Sequence, residues 1–381
     1  MPDWGSRTID GVPGLVTMGE YEWADDRAAE GLRQRAAHLH WPLTMLAEPG
    51  GGHFDLSDAK LELLTMYVRK ACDYRLPPDD DTSSPPQLRP IDPARDGWLV
   101  ERWHRGRAAE VPPAPVGSYA GDARQAFWCF DEEMARAIEA FGDRYRGRQV
   151  QLVGYEQQGQ VVPQDPKTHQ QVTLRLPPLD EDLGFELHGV LLDQVPPGRP
   201  ARWTGQQAGS PATHSDDPDE IRITRICGPM RKVADDRFAI CFDRLGFDNA
   251  KRSGEVWLAA EHPGNGGYRR SVQQALLRIP VVNEHGTPQR ITFSEIADRP
   301  ADAASVHLRA TSDAGLPVHY YVVSGPAEVV GDELRLTPLP PRSRYPVKVT
   351  VVAWQWGRTS PPTVRSAAPV PRVFHLTAPG G

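Results

Sequence analysis

The chain has 381 residues, 39% apolar and 24% charged, with 43 Lys and Arg against 50 Asp and Glu for a formal charge of −7. At roughly 100 to 200 residues per domain this length implies two or three domains, and 10 Trp, 10 Tyr and 10 Phe argue against wholesale disorder. The acidic balance excludes nucleic acid as a partner class, 38 Pro and 34 Gly exclude a helical bundle, and no apolar run is long enough for a membrane-spanning helix.

Residues 12–76 read as strand, helix, strand, helix. GLVTMGE (14–20) is a short strand, and the helix that follows, from about Ala24 to Leu39, places Ala28, Leu32, Ala36 and Leu39 on one face. A second apolar run, PLTMLAEPG, stops at Gly50, Gly51 and Gly52. After Ser57 and Asp58, residues suited to a helix start, Leu61, Leu64, Val68 and Ala71 recur at helical spacing. Strands and helices alternating at this interval form parallel βαβ units. From 78 to 148 the composition turns proline-rich, as in PPDDDTSSPPQLRPIDP, and reads as an extended linker interrupted by one helix, Phe130 to Phe141. That helix would bury Phe127, Phe130, Met134, Ile138 and Phe141 against the first piece.

Beyond Gln149 helical periodicity disappears. Short β-rich runs (VQLVGY, VTLRL, FELHGVLL, IRITRIC, FAICF, EVWLAA, LLRIP) alternate with turn residues, the signature of a β-sandwich over 149–282. A last block, 283–381, has a size common among β-sandwich domains, with strands RITF, VHLRAT, PVHYYVV, ELRLT, PVKVTVVAW and RVFHL. The expected fold class is therefore multidomain, α/β plus all-β.

In open α/β sheets functional groups collect at the carboxyl ends of strands. After the first strand stand Gly19-Glu20-Tyr21-Glu22 and then Asp25 and Asp26; after the second stand Gly50-Gly51-Gly52-His53. A carboxylate and an imidazole on the loops leaving two neighbouring strands can hydrogen-bond to one another. Residues 12–76 resemble the last two strands of the α/β-hydrolase fold, in which a G-x-x-D/E turn carries the triad acid and a later Gly-His carries the base. The matching positions are Glu22 and His53, with Asp25 as second choice for the acid. The resemblance implies that His53 takes a nucleophile's proton and that Glu22 orients and stabilises the imidazolium. No G-x-S-x-G occurs in the chain. The string Gly117-Ser118-Tyr119-Ala120-Gly121 has its serine one position early and reads as a chance turn. The expectation is thus the C-terminal part of a longer secreted hydrolase acting on ester or related acyl bonds, inactive without its nucleophile. The alternative is a non-catalytic extracellular binding or structural protein.

The last block resembles bacterial immunoglobulin-like repeats, through Gln289-Arg290-Ile291-Thr292-Phe293, the segment 308–318, Tyr320–Ala327 and Pro346–Gln355. The resemblance implies a spacer or adhesion module in a secreted or cell-surface setting. In VKVTVVAWQWGR, Val349, Val351 and Ala353 share one face, while Thr350, Val352, Trp354 and Trp356 share the other. The tryptophans either pack against the adjoining β module or face outward as a platform for polysaccharide. The acidic stretches Asp180 to Asp182, and Asp216, Asp217, Asp219 and Glu220, lack the glycine placement of a calcium loop and read as solvated turns. No metal ligand set and no cofactor motif is present. Cys227 and Cys241 read as two buried thiols, with a disulfide between them as the alternative.

Overall fold

Residues 14–48 form a parallel β-α-β unit: β1 (Gly14–Gly19), α1 (Ala24–Ala37) and β2 (Leu43–Glu48), paired from Gly14 opposite Leu43 to Gly19 opposite Glu48. The computed structural model describes residues 8–22, 24–53, 55–77, 87–164, 171–175, 184–198, 204–241, 255–278, 283–303 and 305–379. Helix α2 (Asp58–Arg75) begins at Ser57, whose hydroxyl accepts from the Lys60 N–H at 3.3 Å.

Two details of these helices differ from the periodicity. Helix α1 ends at Ala37, so Leu39 lies outside it and is exposed. In α2 the buried positions are Lys60, Leu63 and Tyr67, whereas Leu61 and Val68 face solvent. Lys60 is buried because it has an anionic partner, Glu48, and Tyr67 because its ring meets Phe130 edge-on at 5.5 Å. Hydropathy along the chain registers neither.

The stretch expected as a linker contains three strands as well as its helix. β3 (Trp98–Glu101), β4 (Ala114–Pro115) and β5 (Ala126–Cys129) make an antiparallel sheet in the order β4-β3-β5, and α3 (Glu132–Asp143) follows. Strands this short show little periodicity and owe their stability to burial. Leu99 and Trp128 are buried, the Trp128 indole donates to the Asp96 carbonyl at 2.7 Å, and the Thr44 hydroxyl ties β2 to the Trp128 carbonyl at 2.7 Å. Asp131 caps α3, accepting from the Met134 N–H at 3.1 Å and from the Lys70 ammonium at 2.6 Å. Phe127, Phe130, Met134, Ile138 and Phe141 are all buried, as their spacing indicates. All but Phe127 share one core with Leu46, Leu63 and Tyr67; Phe127 packs beside it with Leu43 and Met45.

The middle region carries β6 (Val153–Gln157), β7 (Gln160–Val161), β8 (Gln171–Leu174), β9 (Gly184–Glu186), β10 (His188–Leu191), β11 (Arg222–Cys227), β12 (Met230–Ala234), β13 (Arg237–Ile240), β14 (Glu255–His262) and β15 (Ser271–Arg278). They form sheets β10-β6-β7, β11-β14-β15-β8 and β12-β13-β9. Phe185, Leu187, Met230, Phe238, Leu258 and Leu277 lie in their common core.

The last region carries β16 (Ile291–Phe293), β17 (Arg299–Pro300), β18 (Ser305–His307), β19 (Ala310–Ser312), β20 (His319–Ser324), β21 (Ala327–Val330), β22 (Glu333–Leu336), β23 (Val347–Trp354) and β24 (Val370–Thr377). Its sheets run β16-β19, β17-β24-β23-β20 and β18-β22-β21. The described chain is therefore mostly β, in many small sheets with three α-helices. The α/β-hydrolase sheet itself is not displayed, since among the described residues the sheet that β1 and β2 form has no third strand.

Candidate functional site

The loops leaving β1 and β2 are in direct contact because glycine lets them approach. A Cβ on Gly19 would lie 2.5 Å from the carbonyl oxygens of both Gly51 and Gly52. The Tyr21 N–H donates to the Gly51 carbonyl at 3.0 Å, and the Gly50 N–H donates to Glu20 Oε2 at 2.8 Å. Chain leaving β1 turns at once into a one-turn 3₁₀ segment, Glu20–Glu22, in which all three side chains are buried.

This stitching brings Glu22 and His53 together. His53 Nδ1 pairs with Glu22 Oε1; the glutamate side chain is 8% exposed and the imidazole 37%. The carboxylate is thus shielded from water, which strengthens its field at the ring, while the imidazole reaches the surface where a reacting molecule could meet it. The neighbouring Glu20 has other work. Its Oε1 sits 3.1 Å from Arg105 Nε, and Arg105 also donates to the Glu20 carbonyl at 2.9 Å. The side chain of Asp25 lies outside the described residues.

Below this pair the loop after β2 is anchored by charges that sequence reasoning did not single out. Glu48 is fully buried, with the Lys60 ammonium 3.0 Å from Oε2 and the Ser57 hydroxyl donating to Oε1 at 2.6 Å. Lys60 also donates to the Asp55 carbonyl at 2.8 Å. A buried glutamate and a buried lysine read in sequence as surface residues, and their mutual contact, with the Ser57 hydroxyl and the Asp55 carbonyl, explains their burial. Tyr21, between Glu20 and Glu22, packs among Leu152, Leu192, Val195 and Val272, and burial followed by the Glu20 charge pushes its phenol pKa up. Beside the loop opens a cavity of about 520 Å³, bounded by Asp55, Ser57 and Asp58 on one side and by Arg222, Thr224 and Glu261 on the other. Its volume is that of a small-molecule site.

The other sequence candidates take structural places. Trp354 and Trp356 are buried, 5% and 6% exposed, within the core of the middle region, their rings 5.6 Å apart and edge-on. They are packing residues between the two β regions and offer no outward platform. Ser118 is exposed in a short 3₁₀ turn and donates weakly to the Pro115 carbonyl at 3.4 Å. Asp180 to Asp182 and the Asp219 side chain lie outside the described residues, and among the described residues no group of His, Cys, Asp or Glu is arranged to hold a metal ion. Cys227 and Cys241 are thiols; Cys227 is exposed and Cys241 half-buried, so the expectation of two buried thiols does not hold. Among the described residues no helix is long and apolar enough to cross a membrane.

No family model matches the chain, and no curated protein matches it. Solved structures similar to parts of it are cadherin ectodomains. Human protocadherin-24 EC1-2 is 12% identical, covering 55% of this chain and 95% of that one at a TM-score of 0.20. Drosophila N-cadherin EC1-4 is 13% identical, covering 42% and 41% at 0.18. Mouse cadherin-23 EC22-24 is 11% identical, covering 60% and 65% at 0.17. At such scores these likenesses carry no argument about what this chain does.

Proposed function

We propose that Glu22 and His53 are the acid and base of a hydrolase-type site, carried on a multidomain extracytoplasmic protein. The observation that carries the reading is the contact of His53 Nδ1 with a water-shielded carboxylate at the ends of adjacent parallel strands. With Nδ1 directed at Glu22, the opposite ring nitrogen, Nε2, is the one that would accept a proton from an attacking hydroxyl. Glu22 would hold the ring orientation and stabilise the imidazolium that forms. The resemblance of residues 12–76 to α/β-hydrolases supports ester or related acyl bonds as the substrate class. The immunoglobulin-like character of 283–381 supports a secreted or cell-surface location.

A second reading, a non-catalytic binding or structural protein, is favoured by one observation: the 381 residues contain no G-x-S-x-G nucleophile elbow. The two readings differ in what the bare pair does to an activated ester. Under the first, the chain accelerates cleavage of p-nitrophenyl acetate slowly, by general-base activation of water, and both His53→Gln and Glu22→Gln lower that rate. Equal rates for wild type and both variants would decide for the binding protein.

A further inference from the structure

We infer that Arg269 and Arg270, at the head of β15, are positioning residues for the Glu22–His53 pair, which makes the middle β region a working part of that site rather than a spacer. This inference rests on the acid–base reading above. Between them the two arginines reach the β1 turn at Glu20 and the β2 loop at Gly50 and Asp55. Arg269 Nη1 donates to Glu20 Oε1 at 2.9 Å, and the other oxygen of the same carboxylate takes the Gly50 N–H at 2.8 Å, so one carboxylate joins the β1 turn, the β2 loop and β15. Arg270 Nη2 donates to Asp55 Oδ1 at 2.7 Å, its Nε donates to Glu261 Oε1 at 2.6 Å, and its Nη1 lies 3.7 Å from Glu48 Oε1. His53 stands between Gly50 and Asp55, the two points that the arginines grip. Glu22 follows Tyr21, whose ring is sunk among side chains of the middle region.

Charge shows that this grip is needed. Three buried carboxylates, Glu20, Glu48 and Asp55, face Arg105, Lys60, Arg269 and Arg270, and the middle region supplies two of the four cations. Without β15, Glu20 would keep, among the cations of the described residues paired with it, Arg105 alone, and the Asp55 carboxylate would lose its bidentate partner, the geometry that guanidinium provides and ammonium does not. Burial alone would lower the pKa of Arg270, yet Asp55 and Glu261 hold it above the ordinary arginine value, so it stays charged.

The test is the proton NMR resonance of the His53 Nδ1–H, identified in the full chain by its loss in Glu22→Gln. In Arg269→Ala the resonance is expected to disappear through exchange with water, and Arg269→Lys should restore part of it. Glu20→Gln, which keeps the volume of the turn, should also lose it and serves if Arg269→Ala does not fold. The amide resonances of β20, β23 and β24 report that the variants are folded. A resonance unchanged in folded Arg269→Ala or Glu20→Gln overturns the positioning role while leaving the pair intact. A wild-type chain without any Glu22-dependent resonance overturns the acid–base reading itself, and the positioning role with it.

Discussion

Gly50 and Arg270 meet backbone to backbone: a Cβ on Gly50 would lie 2.4 Å from the Arg270 carbonyl oxygen, and the glycine adopts φ +69°. Both facts forbid a larger residue, one through the left-handed backbone and one through space. Gly50→Ala is therefore expected to destabilise the chain by about 2–4 kcal/mol, combining left-handed strain with overpacking. Urea denaturation checks this as a lower midpoint with unchanged slope. An unchanged midpoint would mean that the loop after β2 is not pressed against β15.

The two glutamates of the 3₁₀ turn should respond differently to mutation. Glu20→Ala strands two arginines at a buried boundary and should cost about 3–5 kcal/mol. Glu22→Ala removes a partner from a half-exposed imidazole and should cost about 1 kcal/mol. Thermal or urea unfolding of the two variants side by side measures the difference, and equal losses would contradict the division of labour between them.

Trp354→Ala and Trp356→Ala should each destabilise by about 3–5 kcal/mol, the range for truncating a buried aromatic. Because their rings touch, the double variant should lose less than the sum. Binding to insoluble polysaccharide in a pull-down should not depend on either residue. A saccharide interaction abolished by surface-neutral loss of Trp354 would show that the indole is accessible after all.

His214 should make stability depend on pH near neutrality. Hydrogen bonding to the Ser215 carbonyl at 2.7 Å and to Asp193 Oδ1 at 3.0 Å raises its pKa above the ordinary value of 6.5. A raised native pKa means that the folded chain holds the proton more tightly. The stabilisation is complete below 6.5 and is lost as pH rises through the native value. His214→Gln should therefore lower Tm at pH 5.5 and have less effect at pH 8.5. The opposite ordering would reject the doubly donating imidazolium.

Much of the architecture is legible along the chain where a local pattern has a local cause. The alternation in VKVTVVAW separates Val349, Val351 and Ala353, which lie in the core of the last region, from Val352 and Trp354, which lie in the core of the middle one. The Ser57 cap precedes its helix as composition suggests, whereas Asp131, inside the expected Phe130–Phe141 helix, is the cap of one that starts at Glu132. The strands β3 and β5 are not legible, because four residues each give no period and their mutual register, Trp98 opposite Cys129, is set by packing on β2 and α3.

The site divides in the same way. Sequence by itself determined that an acidic turn and a Gly-Gly-Gly-His loop leave consecutive strands, because strand ends and glycine runs are properties of neighbouring residues. Only the tertiary structure decided that Glu22 and His53 lie in contact, that Lys60 and Glu48 are buried, and that arginines more than 200 positions away grip the loops. A charge can be buried only beside its counter-charge, and which counter-charge that is depends on how distant segments pack.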